Sequence, residues 1–154
     1  MAITVTLGLL HRAYRARADK VVAPMGLSTA MAWPLVLIGR HPEGIRPGNL
    51  SGKLGIEGPS LVRSLNQLVD ADLVLRREDL ADKRAKVLYL TPTGAAISSQ
   101  IESLLNALRA ELFEGLSDRD IRTCLRTFSL LAKRLDLGGT SLSETDQSYD
   151  RPAS

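Results

Sequence analysis

Apolar side chains recur through most of the chain at three- and four-residue intervals, which is the spacing of amphipathic helices. The first such stripe runs over residues 2–22, and Pro24 and Gly26 follow it as helix-ending residues. A second, almost wholly apolar helix is predicted from Ser28, its expected N-cap, to about Arg40. Because this helix lacks a polar face, we expect it to be buried.

The middle of the chain has the pattern of a helix-turn-helix. Leu50 and Leu54 lie one helical turn apart in a short predicted helix, and Gly55 supplies the left-handed residue that ends it. A second helix is expected to begin at Pro59, because proline suits the first helical position. Its apolar stripe consists of Leu61, Val62, Leu65, Leu68 and Val69. Its polar stripe consists of Ser60, Arg63, Ser64 and Gln67.

Two short strands are predicted after these helices. Residues 73–77 and 86–91 are rich in branched and aromatic side chains, and the polar stretch between them suits a hairpin tip. A long helix over 92–114 comes next, and Ser117 with Asp120 resembles a capping box that opens a last helix. Because a hairpin follows the helix-turn-helix directly, the predicted fold is mainly α with a small β-hairpin, a winged helix-turn-helix.

Composition narrows the class of protein. The chain has 154 residues, of which 44% are hydrophobic, so it can build one domain with a core. It has no apolar run long enough for a membrane span, and its N-terminus lacks the order of a secretory signal. The single cysteine, Cys124, excludes a disulfide framework, and the two distant histidines offer no metal-ligand spacing. We therefore predict no metal and no cofactor, and we expect residues 138–154, rich in Gly, Ser, Thr and Asp, to be disordered.

Charge is distributed unevenly along the chain. The net charge is +3 and the isoelectric point is about 9.3. Residues 1–91 carry 13 basic and 8 acidic side chains, whereas residues 92–154 carry 7 basic and 9 acidic ones. The first part is therefore the better candidate for contact with a polyanion such as nucleic acid.

Catalytic constellations are missing from the sequence. It contains neither the glycine-rich phosphate loop nor the GxSxG elbow, and neither His11 nor His41 has a nucleophile placed to work with it. Cys124 lies on the apolar side of the last helix, where we expect a small buried side chain. These observations predict a protein that is not an enzyme.

The polar stripe of the second helix of the helix-turn-helix has the composition of a groove-reading surface. Ser60, Ser64 and Gln67 are hydrogen-bonding side chains that do not repel phosphate. Arg63 is long enough to form two hydrogen bonds with a guanine. We therefore predict that this stripe contacts the major groove of double-stranded DNA.

The predicted hairpin tip carries three basic residues in four: Lys83, Arg84 and Lys86. Such residues suit contact with phosphates or with the minor groove. Asp79 and Asp82 lie beside them, and we expect an aspartate to pair with an arginine and shape the tip. Because Asp82 precedes Arg84 by two residues, we expect its carboxylate to hold the Arg84 guanidinium. Lys83 would then be free to reach the minor groove.

A resemblance to a known family lies in residues 55–94, which read GIEGPSLVRSLNQLVDADLVLRREDLADKRAKVLYLTPTG. This segment resembles the MarR family of bacterial transcription regulators, and its first part, IEGPSLVRSLNQL, is most similar to the SlyA branch. The resemblance implies a homodimer that binds a pseudo-palindromic operator, usually as a repressor. It also implies dimerisation helices in 1–24 and 92–137 and a DNA-binding lobe in 25–91. The residues that match family DNA contacts are Pro59, Ser60, Arg63, Lys83 and Arg84.

Many members of the MarR family release DNA when a small, often aromatic and acidic ligand binds between the dimerisation helices and the DNA lobe. The candidate pocket residues at those positions are His11, Tyr14, Arg15, Met31 and Trp33. An aromatic surface beside an arginine suits a flat carboxylate, so the resemblance implies a small aromatic carboxylate effector. The alternative is that Met31 and Trp33 are plain core residues.

The function predicted from the sequence is a repressor that works in the bacterial cytoplasm, on the nucleoid. One alternative is the same fold acting as an activator or as an antagonist of silencing. Another is a winged helix that serves for protein–protein contact without DNA. Salt dependence separates the last alternative from the others, because binding that neutralises several phosphates weakens steeply as salt rises.

Overall fold

The computed structural model describes residues 2–79 and 82–135, which form six helices and two strands. The helices are α1 (Ala2–Val22), α2 (Thr29–Gly39), α3 (Pro47–Leu54), α4 (Gly58–Asp70), α5 (Pro92–Leu112) and α6 (Asp118–Arg134). The strands are β1 (Val74–Glu78) and β2 (Lys86–Leu90), and a 3-10 turn, Ala23–Met25, follows α1. The predicted fold is confirmed. The predicted disordered tail, 138–154, lies outside the described residues.

The chain divides into two compact units, Met1–Leu112 and Phe113–Ser154. The first unit has its core around α2, which is buried on most of its circumference as its composition predicts. The fully buried side chains of this core come from every helix of the unit and from both strands: Val22, Leu35, Ile38, Leu50, Leu61, Leu65, Leu68, Val74, Leu88, Ile101 and Leu105.

The helix-turn-helix and the hairpin of β1 and β2, here called the wing, follow the predicted order. Gly55 has a φ of 61° and ends α3, as its position predicts. The two strands are antiparallel, and their pairs run from Val74 opposite Leu90 to Glu78 opposite Lys86. Ile45, in the loop before α3, adds an isolated bridge to Leu88 of β2. Sequence analysis missed this bridge, because a single paired residue has no periodic pattern.

The start of α5 lies against the turn between α4 and β1. A side-chain carbon added to Gly94 would stand 1.9 Å from the carbonyl oxygen of Leu73. The Thr91 hydroxyl donates to the carbonyl of Asp72 at 2.7 Å and accepts from the Gly94 N–H at 2.9 Å. The Thr91 N–H donates to the Leu73 carbonyl at 3.1 Å. This contact fixes the first turn of α5 against the end of the helix-turn-helix.

The cap of α2 differs from the prediction. Ser28 occupies the N-cap position, but its hydroxyl forms no capping hydrogen bond. Instead, Oδ1 of Asp19 in α1 accepts from the Thr29 N–H at 2.8 Å, and Arg15 donates to the Thr29 hydroxyl at 3.4 Å. The predicted role of Ser28 was wrong, because a residue from another helix satisfies the backbone N–H that a helix start leaves without a partner.

The same contacts alter the titration of Asp19. The Thr29 N–H, and after it the Thr29 hydroxyl, hold the pKa of Asp19 below its ordinary value; burial opposes this and the Arg15 charge supports it. A carboxylate with a lower pKa in the folded state stabilises the fold at pH values above its unfolded pKa. That stabilisation is lost as the pH falls through the folded-state pKa.

Helix α6 forms the described part of the second unit. Its start is capped as predicted, because the Ser117 hydroxyl accepts from the Asp120 N–H at 3.2 Å and donates to the Asp120 carboxylate at 2.6 Å. None of its residues is buried, and Cys124 is exposed. The prediction of a buried Cys124 was therefore wrong for the single chain.

Asp19→Ala should lower the free energy of unfolding by about 1 kcal/mol at pH 7, the usual cost of losing a helix cap. Ser28→Ala is the matched control and should change it little, because its hydroxyl caps nothing. Relative to Asp19→Asn, which cannot titrate, the native chain should lose stability as the pH falls below about 4. Urea unfolding measures all three. Equal losses in Asp19→Ala and Ser28→Ala would contradict this assignment of the cap.

Candidate nucleic-acid interface

Helix α4 presents a polar face to solvent. At about 100° per residue, its exposed polar positions fall within an arc of roughly 120°, opposite the buried Leu61, Leu65 and Leu68. The residues on this arc, here called the recognition face, are Pro59, Ser60, Arg63, Asn66 and Gln67. Between Pro59 and Gln67 this face contains no carboxylate, while the exposed Asp70 in the last turn of α4 falls on the same arc. The Arg63 guanidinium has no partner among the described residues. This surface has one cation and several neutral hydrogen-bonding groups to offer a ligand.

Two residues of α4 depart from the predicted stripes. Ser64, predicted on the polar stripe, is only 7% exposed, and its hydroxyl donates to the Ser60 carbonyl at 3.3 Å. Val62, predicted on the apolar stripe, is 53% exposed. Both lie at an edge of the buried arc, where one helix position decides between core and solvent. The prediction that Ser64 contacts DNA is therefore corrected, because its side chain is buried and already hydrogen-bonded.

The tip of the hairpin is shaped by Asp82, but not as predicted. Oδ1 of Asp82 accepts from the backbone N–H of Arg84 at 3.0 Å, and its carbonyl accepts from the Ala85 N–H at 2.8 Å. The predicted pairing of Asp82 with the Arg84 guanidinium is wrong, because the short aspartate side chain reaches the nearer backbone donor first. Lys83 and Arg84 are both exposed, and neither side chain pairs with a carboxylate in the described part of the chain.

Lys86 stands apart from the other two basic residues of the hairpin. Its Nζ lies 3.2 Å from Oε1 of Glu78, the residue opposite it on β1. Both side chains are largely exposed, so the pair contributes little to stability. The two cations best placed for a ligand at the tip are therefore Lys83 and Arg84.

An ion pair joins the wing to the start of α3. Arg46 donates through Nε at 2.8 Å and through Nη2 at 2.7 Å to Oδ2 of Asp79. The Asp79 side chain is only 14% exposed. The expectation that an aspartate pairs with an arginine thus holds for Asp79, whose partner comes from the loop before α3. The pair borders an open cleft of about 410 Å³ that also has His41, Lys53 and Tyr89 in its walls.

Two further arginines belong to this surface, and sequence analysis missed both. Arg76 of β1 donates from Nη2 to Oδ1 of Asn66 in α4 at 2.7 Å. The guanidinium of its neighbour, Arg77, lies 5.6 Å from the ring centroid of Tyr89. Alternation along the strand places the two side chains on opposite faces of the hairpin. Two adjacent arginines in a short strand were the only signal in the sequence for this surface. The alternation of side chains along a strand does not show that one of them contacts α4.

The predicted ligand residues are brought together in part. The rings of Tyr14 and Trp33 are stacked, with centroids 6.1 Å apart and planes inclined by 19°. Both side chains and Met31 are half-buried against the core. Arg15 is exposed and bonded to the Thr29 hydroxyl, and His11 is exposed one turn before Tyr14. The structure thus places an aromatic pair near the start of α2, to which Arg15 of α1 is hydrogen-bonded. No contact joins all five residues.

In the range 2–79 and 82–135, no three His, Cys, Asp or Glu side chains form a group that could hold a metal ion. No single described helix is long and apolar enough to cross a membrane; only the pair Ala2–Met25 and Thr29–Gly39, bent by 79°, reaches that length and composition together.

Solved structures resemble the chain over most of its length. The transcriptional regulator PA3341 is 28% identical, with a TM-score of 0.81 over 87% of this chain and 98% of that one. A MarR-family transcriptional regulator from Silicibacter pomeroyi is 27% identical, with a TM-score of 0.72 over 87% and 89%. The chain therefore resembles MarR-family transcriptional regulators in sequence and in fold over most of its length. No protein-family profile matches it.

Two more distant structures share the fold of this chain. The regulator SlyA is 19% identical, with a TM-score of 0.79 over 88% of this chain and 94% of that one. CouR from Rhodococcus jostii RHA1, solved bound to p-coumaroyl-CoA, is 22% identical, with a TM-score of 0.74 over 84% and 91%. The structural neighbours support the MarR family predicted from residues 55–94, and with it a DNA-binding transcriptional regulator.

The Arg46–Asp79 pair should stabilise the wing, whereas Asp82 and the Arg84 side chain should act independently. A double-mutant cycle with Arg46→Gln and Asp79→Asn should give a coupling of about 0.5–1 kcal/mol in urea unfolding. A cycle with Asp82→Ala and Arg84→Ala is the control and should give a coupling near zero, because Asp82 bonds the backbone of residue 84. Coupling in the second cycle and none in the first would contradict the geometry of the wing.

Proposed function

We propose that this MarR-family protein is a repressor that binds a pseudo-palindromic operator as a homodimer and releases it on binding a small aromatic carboxylate. The observation that carries the DNA-binding part is the recognition face, which is exposed and carries no carboxylate between Pro59 and Gln67. At its centre lies Arg63, whose guanidinium has no partner among the described residues. Such a regulator would act on the nucleoid DNA of the bacterial cytoplasm. The DNA contacts, the homodimer and the effector class each have their own support in the molecule.

Base reading is supported by the side chains that the recognition face exposes. Arg63 can donate two parallel hydrogen bonds to guanine O6 and N7, and Gln67 can pair in the same way with adenine. Ser60 and Pro59 stand at the N-terminal end of α4, the end that winged helices of this type place nearest the bases. At the hairpin tip, Lys83 and Arg84 are the candidates for the minor groove, and Lys86 for a phosphate.

A homodimer is supported by apolar side chains that the single chain leaves in solvent. On α1, Ile3 is 64% exposed and Leu10 is 62% exposed, and Leu7 is only half-buried. On α6, Ile121, Leu125 and Leu131 are half-buried and Phe128 is exposed. Apolar side chains repeated along one helix in this way mark an interaction surface. A second copy that covers both helices would remove them from water.

The effector class is supported by the aromatic pair and the arginine near it. Tyr14 and Trp33 offer flat apolar surface, and Arg15 offers a cation one residue after Tyr14. Together they suit an aromatic ring that carries a carboxylate. CouR, which shares the fold, was solved bound to p-coumaroyl-CoA, whose acyl group is aromatic but is held as a thioester, so it supports the aromatic part of this class and not the carboxylate.

Arg63→Ala should weaken binding to the operator by about 1–3 kcal/mol and relax base preference under the recognition helix. Ser64→Ala is the matched control on the next residue, and it should leave base preference unchanged because Ser64 is buried. Fluorescence anisotropy with operator and random duplexes measures both variants. If Arg63→Ala weakened the two duplexes by the same factor, Arg63 would be a phosphate contact and the proposed base reading would be wrong.

An aromatic carboxylate should raise the melting temperature and weaken operator binding. The probes are benzoate and cinnamate, with cyclohexanecarboxylate as the non-aromatic control. Arg15→Gln should abolish the effect of the aromatic acids and leave DNA affinity without ligand unchanged. Trp33→Leu should also abolish the effect of the aromatic acids and leave DNA affinity unchanged, because it removes the surface on which the ligand ring would stack. Equal responses to cinnamate and to cyclohexanecarboxylate would rule out an aromatic effector at this pair. Tighter operator binding with ligand would favour the activator alternative.

A further inference from the structure

The recognition face of α4 receives a side chain from the wing. Asn66 lies on this face, one helical turn after Arg63, and its Oδ1 accepts a 2.7 Å hydrogen bond from Arg76 of β1. A guanidinium bonded to Asn66 must itself stand at the edge of the recognition face. The hairpin thus adds a second cation to the surface on which Arg63 lies.

Arg76 is hydrogen-bonded to Asn66 without an ion pair. Its partner is a neutral amide, and no carboxylate pairs with it in the described ranges. The nearest acid along the same strand face is Glu78, which pairs with Lys86. Arg76 shares that face with Val74, which is 2% exposed and packs in the core beside α4. The strand is therefore anchored, and the amide fixes the direction of the long arginine side chain.

The position of this guanidinium is between the two parts of the protein that would touch DNA. On one side is the recognition face, proposed for the major groove, and on the other is the hairpin tip with Lys83 and Arg84. The sugar-phosphate backbone separates the major groove from the minor groove. A cation placed between a major-groove helix and a minor-groove wing therefore meets phosphates and not base edges.

We propose that Arg76 contacts a backbone phosphate and that Asn66 is the positioning residue that holds its guanidinium at the edge of the recognition face. This inference rests on the proposed DNA binding by α4 and goes beyond it. An oriented planar guanidinium binds phosphate with less loss of side-chain freedom than a free one. Arg77 does not share this role, because it lies on the other face of the hairpin over Tyr89.

The test is the salt dependence of DNA binding, measured by anisotropy from 50 to 300 mM KCl with operator and random duplexes. Arg76→Gln should weaken both duplexes by the same factor and lower the slope of log affinity against log salt by about 0.9 for each phosphate that the protein no longer neutralises. Arg76→Lys should keep most of the slope, because the charge remains. Arg77→Gln is the matched control from the neighbouring position and should leave the slope unchanged.

The positioning role has its own readout. Asn66→Ala should weaken binding in the native background and have no effect in the Arg76→Gln background. Asn66→Asp should form a full ion pair with Arg76, so it should keep or raise the melting temperature while lowering both affinity and salt slope. If Asn66 had a purely structural role, Asn66→Asp would change the melting temperature and leave DNA affinity and its salt slope unchanged.

The possible outcomes distinguish failure of the Arg76 phosphate contact from failure of the proposed DNA-binding function. If Arg76→Gln leaves the slope unchanged while Arg63→Ala relaxes specificity, the phosphate contact is overturned and the proposed function stands. If Asn66→Ala has the same effect in both backgrounds, Arg76 acts without Asn66 and the positioning role is overturned. If the native protein shows no salt-dependent binding to any duplex, the proposed DNA-binding function is overturned, and the Arg76 contact with it.

Discussion

A very close backbone approach joins Gly94 to Leu73, and the DNA-binding surface depends on it. Any side chain at residue 94 would meet the Leu73 carbonyl oxygen at 1.9 Å, so α5 can begin here only with glycine. Thr91 completes the contact with hydrogen bonds to the carbonyls of Asp72 and Leu73. The end of α4, the start of β1 and the first turn of α5 are therefore held as one piece.

This arrangement explains how a short, two-stranded wing keeps a defined place. Two antiparallel strands are marginal by themselves in water. Here the hairpin is joined at its base by the Thr91 contact, beside α3 by the Arg46–Asp79 pair and beside α4 by the Asn66–Arg76 bond. Each of these contacts comes from a different element of the first unit. These contacts fix the wing against the helix-turn-helix, as the proposed contact of the tip and α4 with one DNA duplex requires.

The order of helices and strands could be predicted from the sequence, because each element has a strong period or a turn residue. The winged helix and the exposed Arg63 followed from patterns within one helix. The burial of Ser64 and the exposure of Val62 did not, because both residues lie at an edge of the buried arc of α4. The cap by Asp19 and the partners of Asp79 and Arg76 join residues 10, 33 and 10 positions apart. No local pattern encodes contacts of that kind.

The central claim is that two copies of α4 read DNA in a symmetric arrangement. Selection of bound duplexes from a random library tests it most directly, because no operator needs to be known. We expect enrichment of an inverted repeat whose half-sites are centred about 10 base pairs apart, with a guanine in each half-site that disappears when the selection uses Arg63→Ala. Enrichment of no sequence, or of a single asymmetric site, would contradict it.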